Sequence, residues 1–280
     1  MNRPIVQEVI RIILWGAVGL VAFAVGLWIW GAWHDEWSGY NASISVSDGY
    51  CNIAVVPIVG DIYIDAPTSD GSENIAIANA DEVVSMVRYA EYDSNIVGIL
   101  VRIDSLGGTP AASELIANTL KRSPLPVAAV IREYGTSGGY LAATGADTIF
   151  GSAFSDIGGI GITMSYLENW EKNAKDGLRF VPLASAPLKD YGNPDKPLTT
   201  AERAVIERDL KIYHEHFVKE VAENRNLSIE DVIKFADGSS MPGTLALENK
   251  LIDGIGDQES TRAWFATQLG ITADEVIFCE

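Results

Sequence analysis

The chain has 280 residues, 48% of them apolar, and it carries a formal net charge of −18 with an isoelectric point near 4.5. This length allows one large domain with an appendage or two small domains, and the apolar content is ample for a core. The excess of negative charge argues against nucleic acid as a partner, because proteins that bind phosphate backbones present basic surfaces.

An apolar run without any charged side chain covers residues 12–33. As a helix it would be about 33 Å long, close to the hydrocarbon thickness of a bilayer. Two arginines precede the run and two acidic residues follow it, so the positive-inside rule predicts a cytoplasmic N-terminus at residues 1–11. We therefore expect a single-pass anchor in the cell membrane, with the lipid bilayer as a partner, rather than a cleaved signal peptide or a buried core helix. Residues 34–49 are polar and predict a linker, and residues 50–280 form the main, extracytoplasmic domain.

Hydrophobic patterning in the main domain predicts strands that alternate with helices. We expect strands at 52–59, 96–103, 127–131 and 148–151, and a terminal strand at 276–279. We expect helices at 80–89 and 111–121, a helix from 137, a long helix from 199 or 200 to about 224, short helices at 229–235 and 244–249, and a helix at 260–269. This alternation is typical of an α/β fold whose mainly parallel strands are buried on both faces.

Two cysteines, Cys51 and Cys279, lie near the two ends of the main domain. Outside the cytoplasm they are able to form a disulfide. Buried free thiols, which behave as small hydrophobic residues, are the interpretation that we favour from the sequence, although the sequence does not decide.

Ser137 lies between an apolar strand and an apolar helix and is followed by Gly138 and another glycine. Such a turn can expose the hydroxyl at the carboxyl end of a parallel strand, where the working residues of α/β folds lie. Gly107 and Gly108 follow a neighbouring strand, and one of their N–H groups is expected to form an oxyanion hole with that of Gly138. The alternatives are that Ser137 only caps a helix and that the glycines only form tight turns.

Lys189 is the candidate base for such a serine. A lysine must have its pKa lowered from about 10.4 to about 7, at a cost of roughly 4.6 kcal/mol, which the apolar residues around 183–188 are expected to supply by desolvation. A nearby Asp190 carboxylate would oppose this, and a solvated surface lysine is the alternative. The histidines do not supply a base or a metal pair, because His34 borders the predicted membrane span and His214 and His216 point different ways on one helix.

Five motifs in this order resemble the signal peptide peptidase A (SppA) family, including the 52-residue step from Ser137 to Lys189. The resemblance implies a ClpP/crotonase-like α/β core with Ser137 as nucleophile, Lys189 as general base, and oxyanion donors around Gly107, Gly108 and Gly138. It also implies a homo-oligomeric ring in which neighbouring chains supply the serine and the lysine of one site. The motifs are Asp104–Gly108, Thr136–Tyr140, Gly158–Gly161, Leu188–Asp190, and Ala236–Gly238 through Leu251–Asp253.

The chain departs from the family pattern at two positions. Leu106 replaces the usual proline of the first motif, and Gly159 replaces a serine whose hydroxyl would help to orient the lysine; Thr163 is a possible substitute. We expect a membrane-anchored serine endopeptidase without metal or cofactor that degrades apolar peptides such as remnant signal peptides. The alternatives are a catalytically inactive, membrane-associated peptide-binding scaffold of the same fold, and a crotonase-like acyl-CoA enzyme, which the membrane span and the acidic charge disfavour.

Overall fold

The computed structural model describes residues 15, 16, 19, 21, 23–25, 47, 49–65 and 76–279. It divides into two units, Met1–Ile44 and Ser45–Glu280. The predicted membrane span at 12–33 and the predicted linker at 34–49 lie mostly outside the described residues. The described residues of the span are helical and exposed. Among all described residues, no helix combines the length and the apolar character that crossing a bilayer requires.

The second unit consists of strands and helices that alternate along most of the chain, so the predicted α/β class is confirmed. The helices are α1 (Ala80–Tyr92), α2 (Pro110–Lys121), α3 (Gly138–Ala143), α4 (Trp170–Lys175), α5 (Thr200–Arg225), α6 (Ile229–Ile233), α7 (Gly243–Glu248) and α8 (Gln258–Leu269). The strands are β1 (Ile53–Val59), β2 (Asp61–Tyr63), β3 (Ile77–Asn79), β4 (Gly98–Ser105), β5 (Val127–Thr136), β6 (Thr148–Gly151), β7 (Asp156–Gly158), β8 (Ser240–Pro242), β9 (Gly254–Ile255) and β10 (Phe278–Cys279).

The central sheet has the strand order β10-β1-β4-β5-β6-β9, and every pair along this path is parallel. Helices cover both faces. The larger apolar cluster packs α1, α2, α3 and the second half of α5 on one face. The smaller cluster packs Phe265 of α8 against Ile53, Leu100 and Val130 on the other face. Burial on both faces explains why β1, β4 and the first half of β5 are almost entirely apolar.

Strand β5 is longer than the sequence predicts, and its extension positions the candidate site. The pairing with β4 shifts between Ile103, which lies opposite Ile131, and Ser105, which lies opposite Gly135. Beyond this irregularity β5 pairs with the short strand β7, which in turn pairs with β8 in antiparallel fashion. A bulge of this kind bends a strand and redirects the residues that follow it. Here those residues lead directly into Ser137.

Cys51 and Cys279 form a disulfide bond, so the interpretation of two buried free thiols is wrong. The reason is the long-range pairing of β1 with β10, in which Ala54 lies opposite Cys279. This pairing brings the two Cα atoms to 5.1 Å, within the range that a disulfide spans.

Candidate active site

Ser137 occupies the turn between β5 and α3 in an unusual backbone conformation, with φ 51° and ψ −125°. A residue other than glycine in such a region costs about 1–3 kcal/mol and persists only where its surroundings fix it. The Ser137 N–H donates to the Gly158 carbonyl at 2.7 Å, and the Ser137 carbonyl accepts from the Leu141 N–H at 3.0 Å. The hydroxyl makes no capping hydrogen bond to α3. Ser137 therefore does not cap the helix through its side chain, so capping does not account for its strained conformation.

Helix α3, which follows Ser137, is fixed from its buried side. Tyr140 is completely buried, and its hydroxyl donates to the Leu251 carbonyl at 2.8 Å. Burial is the main reason that the pKa of Tyr140 is raised well above its usual range, so the hydroxyl stays protonated and keeps donating. This contact ties the first turn after Ser137 to the loop before β9.

The three glycines predicted to form an oxyanion hole converge on Ser137. A Cβ built on Gly107 would lie 2.9 Å from the Gly138 nitrogen, and one built on Gly138 would lie 3.1 Å from the Gly108 nitrogen. The Gly107 N–H donates to Ser105 Oγ at 3.1 Å. The N–H groups of Gly108 and Gly138 make no hydrogen bond with any described residue. Two unused amides thus lie next to the serine, while the third stabilises the glycine turn.

Gly159, which replaces the serine of the family pattern, lies beside the candidate nucleophile. Its φ is 59°, and a Cβ there would lie 3.2 Å from the Ser137 nitrogen and 3.3 Å from the Thr136 Cβ. Its N–H donates to the Ser239 carbonyl at 3.1 Å. The backbone at residue 159 therefore packs closely against the turn formed by Thr136 and Ser137.

Ser137 and Gly159 line an open groove of about 790 Å³. Leu106 and Ile162 give the groove apolar surface, and Thr163 also lines it. Two carboxylates, those of Asp156 and Asp237, belong to the lining as well. The Asp237 carboxylate accepts from the Ser239 hydroxyl at 2.6 Å, which is the main reason that its pKa is lowered and that it stays ionised. The groove therefore combines apolar surface with two carboxylates beside the serine.

His214 also lines the groove, a position that the sequence analysis did not assign to it. The prediction that the two helix histidines point different ways is confirmed, because His216 instead contacts Glu114 of α2, with 2.9 Å between Nε2 and Oε1. The periodicity of α5 contains the signal that would have found His214. It precedes the buried residues Phe217 and Val218 by three and four positions, and therefore shares their face.

Lys189 does not line this groove within one chain. It lies in an exposed turn, where its N–H donates to the Ala186 carbonyl at 3.2 Å, and its side chain contacts no described partner. The expected desolvation by neighbouring apolar residues does not occur within the chain, since Leu183 is 96% exposed. The structure thus brings together Ser137 and the three glycines but leaves Lys189 on the surface of the same chain.

Comparison with known proteins shows which family the chain belongs to. A model of peptidase family S49 matches residues 119–272, which is more than half of the chain and includes both Ser137 and Lys189. The chain belongs to peptidase family S49. The resemblance to the signal peptide peptidase A family is confirmed by relatives that carry this name or are described as proteases.

Three of these relatives illustrate the similarity of this S49 chain to proteins of other organisms. A putative protease of Methanocaldococcus jannaschii is 28% identical over 80% of this chain and 73% of that protein. A putative protease of Synechocystis is 34% identical over 64% of this chain and 65% of that protein. A putative signal peptide peptidase SppA of Enterococcus faecium is 29% identical over 65% of this chain and 54% of that protein. The chain therefore spans between about half and three quarters of the length of these relatives.

Among solved structures, a ClpP1 mutant of Listeria monocytogenes resembles the chain with a TM-score of 0.49 and 16% sequence identity. The superposition covers 74% of this chain and 92% of that chain.

Proposed function

We propose that this S49 peptidase hydrolyses peptide bonds with Ser137 as nucleophile and with Lys189 of a neighbouring copy as general base. One observation carries the proposal: Ser137 lies in a strained elbow, in a peptide-sized groove, beside two amides that have no other described partner. Backbone strain of this kind is concentrated at functional sites. Free amides directed at one position are what an acyl-transfer transition state requires.

The reaction begins when Lys189, in its neutral form, takes the proton of the Ser137 hydroxyl as Oγ attacks the substrate carbonyl. The N–H groups of Gly108 and Gly138 stabilise the negative charge on the carbonyl oxygen, while Gly107 shapes the turn. The lysine then returns the proton to the leaving amine, and an acyl-serine remains. The same lysine then deprotonates a water molecule that attacks the acyl-serine. As the acyl–Oγ bond breaks, the lysine gives this proton to Ser137 Oγ, which releases the acid product and regenerates the enzyme.

The arrangement of apolar side chains supports the supply of Lys189 by a second copy. Around Lys189, the segment between β7 and α5 exposes large apolar residues, among them Leu167 at 85% and Leu183 at 96%. Exposed apolar clusters mark interaction surfaces. Covering them in a homo-oligomeric ring would also provide the desolvation that a lysine base requires. In this proposal a single chain is inactive.

The substrate class that we propose is apolar peptide segments such as remnant signal peptides. They would be cut at the surface of a membrane to which residues 12–33 anchor the chain. The apolar surface of Leu106 and Ile162 in the groove supports this class. The disulfide between Cys51 and Cys279 supports a location outside the cytoplasm, because disulfides persist in oxidising compartments.

A subunit-mixing experiment tests the proposal. The purified full chain should cleave a synthetic signal peptide, whereas Ser137→Ala and Lys189→Ala should each lose nearly all activity, by up to about 10⁶-fold for the serine. Mixing the two inactive variants, with subunit exchange verified, should restore about a quarter of the parent activity, because a quarter of the sites then combine an intact serine with an intact lysine. No recovery on mixing would contradict a site shared between copies.

The alternative of a catalytically inactive scaffold makes a different prediction for the same protein. A scaffold would bind the peptide without cleavage, and its Ser137 would not react with a serine-directed phosphonate. Mass spectrometry of the phosphonate-treated chain distinguishes the two, with covalent addition at Ser137 expected for the peptidase.

A further inference from the structure

Asp190, the neighbour of the proposed base, is held by another lysine. Lys196 Nζ lies 3.4 Å from Asp190 Oδ1 and forms a second, closer ion pair with Glu202. The Glu202 side chain is buried, at 3% exposed, while those of Asp190 and Lys196 are partly exposed, at 25% and 18%. From the sequence, Asp190 would oppose a neutral Lys189 if its carboxylate lay close to that lysine; in the structure the cation beside this carboxylate is Lys196.

Glu202 fixes this arrangement to the start of α5. Its Oε2 accepts from the N–H of Thr199 at 2.9 Å and from the Thr199 hydroxyl at 3.0 Å, and its own N–H donates to that hydroxyl, which completes a capping box. A capping box satisfies N–H groups that the first helical turn leaves without partners. The carboxylate that holds Lys196 therefore has a defined position on a 26-residue helix.

The remaining acceptor of Asp190 has no partner. Asp190 Oδ2 is buried and makes no hydrogen bond with any described residue. A buried carboxylate oxygen without a donor is costly, and it attracts a cation that comes within reach. Lys189 is directly adjacent to Asp190 in sequence, so without Lys196 it is the nearest lysine along the chain that this carboxylate could attract. The ammonium of Lys189 would then be stabilised in its charged form, which is unable to act as a base.

The other carboxylates that border this segment have partners of their own. Glu168 accepts from the Leu198 N–H, Asp195 accepts from the Asn173 side chain at 2.8 Å, and Glu207 pairs with Arg203 on α5. They are anions, so none of them can replace Lys196 as the cation beside Asp190.

We propose that Lys196, anchored by Glu202, is a positioning residue that occupies the Asp190 carboxylate and thereby leaves Lys189 free to serve as the base. This inference rests on the proposed function, because it gives Lys189 the role of general base. In this proposal the ion-paired residues Asp190, Lys196 and Glu202 keep Lys189 able to lose its proton, in addition to holding the turn around Asp190 in place.

The test is the pH profile of kcat/KM for peptide cleavage by Lys196→Met, which removes the cation but keeps an unbranched apolar stem. The rising limb of the profile should move to higher pH by about one unit, so that activity near neutral pH falls about tenfold and recovers at higher pH. The double variant Asp190→Asn with Lys196→Met should return the limb toward the parent position, because the liberated carboxylate is gone. Lys219→Met is the matched control, since Lys219 also lies 3.5 Å from a carboxylate, that of Glu223, on the surface of α5; its profile should not change.

A role limited to holding the fold would give a different result. Lys196→Met would then lower kcat/KM equally at every pH, and Asp190→Asn would not rescue it; that outcome overturns the proposal. A second readout does not depend on catalysis. The rate at which acetic anhydride acetylates Lys189, followed by peptide mass mapping, should fall about tenfold in Lys196→Met at fixed pH and recover in the double variant. Unchanged acetylation would also overturn it. Failure of the proposed function is recognised separately, as a parent chain that does not cleave or as Lys189→Ala with full activity.

Discussion

Gly107 packs directly against Ser137: a methyl group added at Gly107 would lie 2.9 Å from the serine Cβ and 3.2 Å from its Oγ. The φ of Gly107 is 119°, a conformation that residues with a Cβ rarely adopt. We therefore expect Gly107→Ala to lower kcat/KM by about 100-fold or more, since it displaces the nucleophile and the Gly138 amide together. It should also lower the free energy of unfolding by more than about 1 kcal/mol.

Gly270→Ala is the matched control for backbone strain alone. Gly270 also has a positive φ, 68°, but no atom lies within 4 Å of the added methyl group. Urea unfolding should show a loss of stability in both variants, whereas peptide cleavage should be lost in Gly107→Ala alone. Equal activity in the two variants would contradict the role of the 107–108 turn in the site.

The strain at Ser137 predicts a trade between stability and activity. Ser137→Ala keeps a Cβ at φ 51°, whereas Ser137→Gly removes it and relieves the strained conformation. We expect both variants to be inactive and Ser137→Gly to be more stable than Ser137→Ala by about 1 kcal/mol, although glycine is normally the destabilising choice. Thermal unfolding of the two inactive variants, side by side, measures this difference. A less stable glycine variant would show that the elbow is not strained.

His214 provides a test of which residue is the base, because it lines the same groove as Ser137. If Lys189 is the base, His214→Asn should change mainly KM and should lower kcat/KM by less than about tenfold. His216→Asn, two residues along the same helix and directed at Glu114, is the matched control. A loss in His214→Asn as large as that in Ser137→Ala would instead transfer the role of base to the histidine.

Hydrophobic patterning was sufficient to predict the longer strands of the sheet and the main helices that cover it. Strands β1, β4 and β6 follow from local apolar runs, and the start of α5 follows from the spacing of Thr199 and Glu202. The turn at Ser137 was also predictable, because a serine and two glycines separate an apolar strand from an apolar helix. These features depend on residues close together in sequence.

Features that depend on distant pairing were not predictable. The short strands β7 and β8 have three residues each and are strands because they pair with β5 and with each other. The Cys51–Cys279 disulfide depends on the adjacency of β1 and β10. The pairing of Asp190 with Lys196 depends on a turn that brings the two side chains together, and adjacency in sequence gives no sign of it.

The disulfide predicts sensitivity of stability to reduction. Its two cysteines are 228 positions apart, so the bond restricts a very long loop of the unfolded chain. Reduction should lower the free energy of unfolding by about 2–5 kcal/mol. Urea unfolding with and without dithiothreitol measures the effect, and the double variant Cys51→Ala with Cys279→Ala should not respond to the reductant. An equal response in the parent and the double variant would show that the bond does not contribute.

Glu202 predicts how stability depends on acid. Its hydrogen bond from Lys196, followed by that from the Thr199 N–H, lowers the pKa of this carboxyl to about 2 from a usual value near 4.5. A group whose pKa is lowered by folding stabilises the folded state above its usual pKa, and this contribution is lost as the pH falls toward the lowered value. Between pH 4.5 and 2, the unfolding midpoint of the parent should therefore fall more steeply than that of Glu202→Gln. Glu248→Gln, an exposed substitution on α7, should follow the parent. Parallel curves for the parent and Glu202→Gln would mean that the ion pair with Lys196 does not contribute to stability, and would weaken the case that it holds Asp190.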